Sequence, residues 1–310
     1  MAPRRLPDPG GRAVVRALRE RTLAWLHPRP GVQAWSLLAP GGFWLVAFFL
    51  VPMLFMLAYS LMPRGIYGGV DRGFTLEHYR RFLDPLYLDI LRRTFVWSIA
   101  CTGVCLLLGY PVAYVIARGG RRKNLLLFLV VLPFWTSFLV RTFAMIFLLR
   151  DTGLINTWLL DLGLIRDPIT MLYTPFAVMA GLVYGFLPFM ILPIYASLEK
   201  LDLSLLEAAE VLGARPLERF RRITLPLSMP GVVAGCLLVF IPALGSFLTA
   251  DLLGGAKQLM VGNLVQNQFS AARNWPFGSA ASFILMALVL AAVLVYLRVK
   301  DRSPGGAGLA

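Results

Sequence analysis

The chain of 310 residues carries two histidines, three cysteines, 16 carboxylates and 30 basic side chains that could in principle do chemistry. Their spacing argues against catalysis. His27 and His78 stand in separate segments, whereas a metal ion or an acid–base pair needs several convergent groups, so His78 reads as an exposed surface residue. Cys101, Cys105 and Cys236 all lie inside apolar runs. They show neither a disulfide framework nor zinc spacing and read as small buried hydrophobes. Gly254-Gly255-Ala256-Lys257 is followed by Gln258, so the loop that cradles nucleotide phosphates is missing. The sequence offers no catalytic residue and no metal ligand.

The polar residues that do gather form a corner over residues 204–226, SLLEAAEVLGARPLERFRRITLP, between two long apolar segments. Ser204 and Glu207 have the Ser-x-x-Glu spacing of a capping box, which starts a helix by satisfying exposed backbone donors. Leu205, Ala208, Ala209 and Leu212 then recur on one helical face. Gly213 stands where a helix is stopped by a left-handed residue, and Pro216 where the next one starts without losing a useful donor. On the second helix Leu217, Phe220 and Ile223 make an apolar stripe, with Arg215, Arg219 and Arg222 on another face and Glu218 spaced to support Arg222. An amphipathic connector lying on lipid would account for the basic faces. It would not account for the Ala-Ala pair, the Gly corner and the capping box together.

The elements around the corner follow from composition. The chain is 58% hydrophobic and 15% charged, with mean hydropathy +0.72, which predicts an all-α, polytopic membrane protein with several spans. The net charge of +14 sits mostly beside apolar runs, where it signals orientation rather than nucleic-acid binding. A basic arm over 1–42 holds an interfacial helix near 12–26 that would lie against anionic lipid and remain attached. Spans are predicted over 43–62, 95–117, 125–149, 173–197, 229–253 and 277–299, with a short tail over 300–310. Residues 63–94 form a periplasmic segment in which an amphipathic helix over 75–91 presents Leu76, Tyr79, Phe82 and Leu83 to the outer surface. Residues 150–171 form an outer loop with a short helix around Trp158.

Small-residue pairs, Gly181-x-x-x-Gly185 and Gly231-x-x-x-Gly235, permit close helix approach, and Pro188 and Pro193 predict bends. Pro242, Gly245 and Ser246 break the fifth span, which at membrane depth requires cover from protein or a water-filled cavity. Lysine and arginine number 19 in the arm, the 118–123 turn, the corner region 198–228 and the tail, against 10 in the opposite loops. That imbalance puts both termini and the corner in the cytoplasm. Arg141 lies within the third apolar run. It reads as a snorkelling side chain, as half of an ion pair, or as a contact in gating or substrate binding. Trp135, Tyr184, Phe247, Asp251 and Asn263 join it as pathway or gate candidates, being aromatic or polar near the breaks; aromatic faces attract cations. Asp251 is the acidic residue nearest membrane depth.

Glu207-Ala208-Ala209, Gly213 and Ile223-x-Leu225-Pro226 resemble, in order and spacing, the EAA loop of ABC importer permeases. The resemblance implies that Glu207, Ala208, Ala209, Leu212, Gly213, Ala214, Phe220, Arg222, Ile223, Leu225 and Pro226 couple the chain to a cytoplasmic ATPase. Leu132-Pro133-Phe134-Trp135-Thr136-Ser137-Phe138-Leu139-Val140-Arg141-Thr142, Gly153-Leu154-Ile155-Asn156, Asp251-Leu252-Leu253-Gly254-Gly255, Gly262-Asn263 and Asn274-Trp275-Pro276 narrow it to the spermidine/putrescine type. The likeness extends over about residues 75–299. It implies a type I, MetI-like core over 95–299, preceded by one extra span, in the bacterial inner membrane. The implied partners are a second homologous permease, two ATPase subunits and a periplasmic binding protein. ATP and magnesium would belong to the ATPase subunits, leaving this chain without a cofactor and without enzymatic activity. The implied cargo is a polyamine. The same architecture could instead carry an amino acid, an opine-like compound or ferric iron, and an ion-coupled secondary transporter is the reading from another class.

Overall fold

The computed structural model describes residues 30–255 and 257–301. The interfacial helix predicted near 12–26 and the tail after 301 lie outside the described residues. Among the described residues the ordered elements are helices, apart from one antiparallel bridge between Arg64 and Val70. Five helices are long and apolar enough to cross a membrane, and a bent pair adds a sixth span if taken as one. The chain divides into two units, Met1–Ala58 and Tyr59–Ala310.

The first unit is built on α1 (Pro30–Leu45), a π-helical turn (Val46–Leu50) and α2 (Val51–Ser60), whose last residues pass into the second unit. The stretch Leu38–Ser60 has a mean hydropathy of 2.2, so the apolar span starts before the predicted residue 43. Pro52 would crowd the carbonyl four residues back in a regular helix. The wide turn just before it, closed by Val51 N–H to Val46 O, absorbs the mismatch.

In the second unit the amphipathic helix predicted over 75–91 is two elements, α3 (Glu77–Phe82) and α4 (Pro85–Ala117). Asp84 is extended, with ψ 140, as a residue before proline prefers, and Pro85 then opens a 33-residue helix. The second span therefore starts at Pro85, not Phe95. His78 is not an exposed surface residue: it is 6% exposed, and its Nε2 lies 3.0 Å from Met62 O, to which it donates.

The third apolar run is broken. α5 (Lys123–Val131) passes into a 3-10 turn (Leu132–Trp135), and α6 (Phe138–Leu149) leaves at 93° to it. Thr136 and Ser137 are extended, with ψ 147 and 141, so the helix cannot continue through them. A short α7 (Leu154–Asp161) follows. Its Asn156 is buried and pins the loop by donating to Arg150 O and Ile169 O while accepting from Ile169 N–H.

The centre is α8 (Pro175–Glu199), capped by Thr174 Oγ1, which accepts from Ala177 N–H at 3.3 Å. Its Leu182, Met190 and Ile194 are fully enclosed, and it packs along both α4 and α11 (Leu225–Leu244). A Cβ on Gly231 would lie 2.4 Å from Pro193 O, so the two backbones touch there. The pair Gly181 and Gly185 serves two neighbours rather than one: Gly181 faces Thr249 and Leu253, and Gly185 faces Phe138. Beyond α11 lie α12 (Leu248–Gly254), α13 (Val261–Phe269) and α14 (Trp275–Asp301). Thr94 Oγ1, buried on α4, accepts from Val261 N–H at 2.9 Å and so ties α13 to the second span.

Candidate functional site

The corner is assembled from α9 (Ser204–Val211) and α10 (Pro216–Arg219). The predicted Ser204–Glu207 box does not form. Asp202 Oδ1 accepts the N–H of Ser204 at 2.9 Å instead, a bond that also holds the Asp202 carboxyl below its usual range. At the other end Gly213 takes φ +80. Its N–H bonds to Glu210 O at 2.9 Å and that of Ala214 to Ala209 O at 2.9 Å, the paired closure of a helix stopped by a left-handed residue. Pro216 then starts α10, with Glu218 Oε2 accepting from Arg215 N–H at 3.1 Å. Glu218 thus caps the helix rather than supporting Arg222. Arg219 pairs with Glu210 across the turn.

The second arm is not a separate short helix. α10 passes through a π-helical turn (Phe220–Thr224) directly into α11, so Pro216–Leu244 is continuous. The apolar faces also differ from expectation. Leu206 is the buried anchor of α9, while Leu205 and Leu217 are exposed and Val211 and Leu212 stand 88% and 86% exposed at the tip. Glu207, Ala208, Gly213, Arg222 and Pro226 are exposed as well, and Ala209, Ala214, Phe220, Ile223 and Leu225 are half-buried.

Phe220 joins this corner to the second span. Its ring lies edge-on to Tyr110 at 5.6 Å and to Tyr114 at 6.3 Å. Tyr110 donates to Ser228 Oγ at 2.9 Å, and Ser228 in turn donates to Leu225 O. Arg118 lies over the Tyr114 ring, 4.4 Å from its centroid. Neither tyrosine stood out from the sequence, although their i, i+4 spacing on a helix adjoining a basic turn was the available signal.

The break in the fifth span falls at residues 245–247. α11 continues through Pro242 and ends at Leu244. The exposed backbone is covered by α13: a Cβ on Gly262 would meet Gly245 O at 2.7 Å and Ser246 O at 2.9 Å. Asn263 is 4% exposed; its Nδ2 donates to Phe247 O at 2.9 Å, and its Oδ1 accepts from Met260 N–H. That amide is committed to holding the break and with it Phe247. Beside it lies a cavity of about 590 Å³ lined by Ile241, Phe247, Val265, Gln266, Leu285 and Met286 among others.

The remaining pathway candidates separate. Trp135 is 73% exposed and meets Phe128 edge-on. Asp251 is exposed on α12. Arg141 and Tyr184 come together: Arg141 is 9% exposed, with Cζ 6.0 Å from the Tyr184 ring. It neither snorkels to the surface nor forms an ion pair among the described residues. Cys101 and Cys105 are buried, Cys236 half-buried, and all three are free thiols. Among the described residues no three His, Cys, Asp or Glu side chains converge on a metal position.

A family model described as binding-protein-dependent transport system inner membrane component matches residues 106–302. The spermidine/putrescine transport system permease protein PotB of Haemophilus influenzae is 48% identical over 256 residues, covering 82% of this chain and 90% of that protein. PotB of Escherichia coli is 46% identical over 256 residues, covering 82% and 93%. Among solved structures, a bacterial ABC transporter involved in the import of the acidic polysaccharide alginate superposes with TM-score 0.65 at 19% identity, covering 93% of this chain and 99% of that one. At that identity the likeness is one of fold.

Proposed function

Because this chain belongs to the family of binding-protein-dependent transport system inner membrane components, we propose that it forms half of the membrane pathway of an ATP-driven polyamine importer. The observation that carries the cargo is its 48% and 46% identity, over 82% of its length, to permeases of spermidine/putrescine transport. The other half is a second permease. A periplasmic binding protein delivers the polyamine, and two cytoplasmic ATPase subunits bind ATP and magnesium. Both termini and the corner face the cytoplasm, a placement supported by the excess of basic residues on that side.

In this reading the exposed tip of α9 seats in the ATPase, and closure of the nucleotide sites displaces it. The displacement passes along the continuous helix to the break at 245–247 and, through Phe220, to Tyr110 and Tyr114 on the second span. Transport follows only if the inward and outward states make different contacts with the cargo. Phe247, partly exposed, supplies a ring face suited to an ammonium group.

The test is uptake by the complete transporter in liposomes, with labelled spermidine and putrescine set against amino acids and ferric chelates. ATP-dependent accumulation of a polyamine is expected. Accumulation of another solute alone overturns the cargo, and accumulation without ATP overturns the importer. A second expectation concerns transmission. Two edge-on ring contacts are worth about 0.5–1.5 kcal/mol each, so Phe220→Ala should lower polyamine imported per ATP hydrolysed by about fivefold or more while the complex stays assembled. A parallel fall in uptake and hydrolysis would reduce Phe220 to packing.

A further inference from the structure

Arg141 is charged, enclosed and under-compensated within this chain. Its guanidinium carbon lies 4.9 Å from the ring centroid of Phe134, 5.6 Å from that of Phe138 and 6.0 Å from that of Tyr184. Nε and Nη1 are buried without a hydrogen-bond acceptor. Ring faces contribute roughly 0.5–2 kcal/mol apiece, whereas an enclosed ion loses several kcal/mol of hydration. Three ring faces together offset much of that loss but give Nε and Nη1 no hydrogen-bond acceptor, and Nη2 is the guanidinium nitrogen not enclosed in the same way.

The chemistry of the missing partner is constrained. Lipid tails offer no acceptor, and a side chain balanced by headgroups would extend to the interface instead of folding back among rings from the 132–135 turn, α6 and α8. A cationic cargo would be repelled. What remains is an anionic group carried in by protein on the face formed by α6 and α8, where Val140, Phe143 and Tyr184 are exposed. We propose that Arg141 is an assembly latch: a carboxylate of the second permease docks on Nη2 and completes the site that the aromatic cage leaves open. This rests on the two-permease reading above. The latch would also make pairing selective, since a permease without that carboxylate would leave a buried charge unpaired, a costly arrangement in low dielectric.

The experiment uses the complete transporter with an affinity tag on this chain and measures the second permease recovered with it. Arg141→Glu should cut recovery tenfold or more, and Arg141→Gln less. Reversing one Asp or Glu of the second permease to Lys should restore recovery with Arg141→Glu, a rescue that a misfolded chain would not show. Unchanged recovery in Arg141→Glu, or no rescue by any single reversal, overturns the latch. So does recovery that tracks the phosphatidylglycerol content of the nanodisc instead of the partner's carboxylates, which would assign the site to a lipid phosphate. A wild-type complex that fails to assemble or to import polyamine counts against the function proposed above. An intact polyamine importer whose composition ignores Arg141 counts against the latch alone.

Discussion

Gly231→Ala is expected to lower the amount of assembled transporter in the membrane several-fold or more. The added methyl would lie 2.4 Å from Pro193 O, 2.5 Å from Ser197 Oγ and 2.8 Å from Ser197 Cβ. The first of these is backbone, so relief requires α11 to move away from α8. The same seam continues at Gly235, where a Cβ would meet Met190 Sδ at 2.8 Å and Met190 O at 3.1 Å, and a local shift would propagate along it. Overpacking costs about 1–3 kcal/mol where side chains can yield; against a fixed carbonyl the upper end applies, a fall in the ratio of folded to unfolded chain of roughly a hundredfold. Gly103→Ala is the control. Nothing lies within 4 Å of its added carbon, and an exposed helical Gly→Ala exchange gains about 0.5–1 kcal/mol. Yield and thermal denaturation of the purified complex should therefore move in opposite directions for the two variants.

Leu212→Asp is expected to abolish polyamine uptake while the chain still inserts and folds. Leu212 and its neighbour Val211 are among the most exposed apolar residues of the corner, and changes at such positions shift stability by only about 0.5 kcal/mol. Apolar anchors at an interface centre contribute about 2–4 kcal/mol, so retention of the ATPase on the permease should fall thirtyfold or more. Glu207→Lys, which reverses an exposed charge on the same helix, should act in the same direction. Gly213→Trp forces an L side chain into φ +80, at roughly 1–2 kcal/mol, and re-aims the tip. Normal ATP-driven uptake in Leu212→Asp and Glu207→Lys would refute docking at this corner.

The corner was legible in the sequence because Gly213 and Pro216 act through their own backbones. The capping residue was not, since Asp202 and Ser204 are both short acceptors two positions apart and the sequence does not say which one the chain turns toward. The continuous helix was also hidden. Pro226 reads as a boundary, yet the wide turn at Phe220–Thr224 lets Leu225 N–H reach Phe220 O and the helix survives the proline. The turn at Val46–Leu50 does the same before Pro52. The sharp break after Trp135 could have been anticipated from Pro133 with Thr136 and Ser137, residues that weaken a helix through local backbone preferences. The cage around Arg141 could not, because Tyr184 reaches it from a helix distant in sequence. The bond from Asn263 to Phe247 likewise depends on how α13 folds back over the break.

The unbroken run from the elbow to Leu244 has 29 residues, a rod about 43 Å long at 1.5 Å per residue. Pivoted near the elbow, a tilt of only about 5° would swing its far end by about 4 Å at that length, comparable to the width of a methylene chain. Small rotations imposed by the motor are thereby magnified where the backbone opens. If the break at 245–247 is the gate, an opening wide enough for a slender polycation needs no joint along the way.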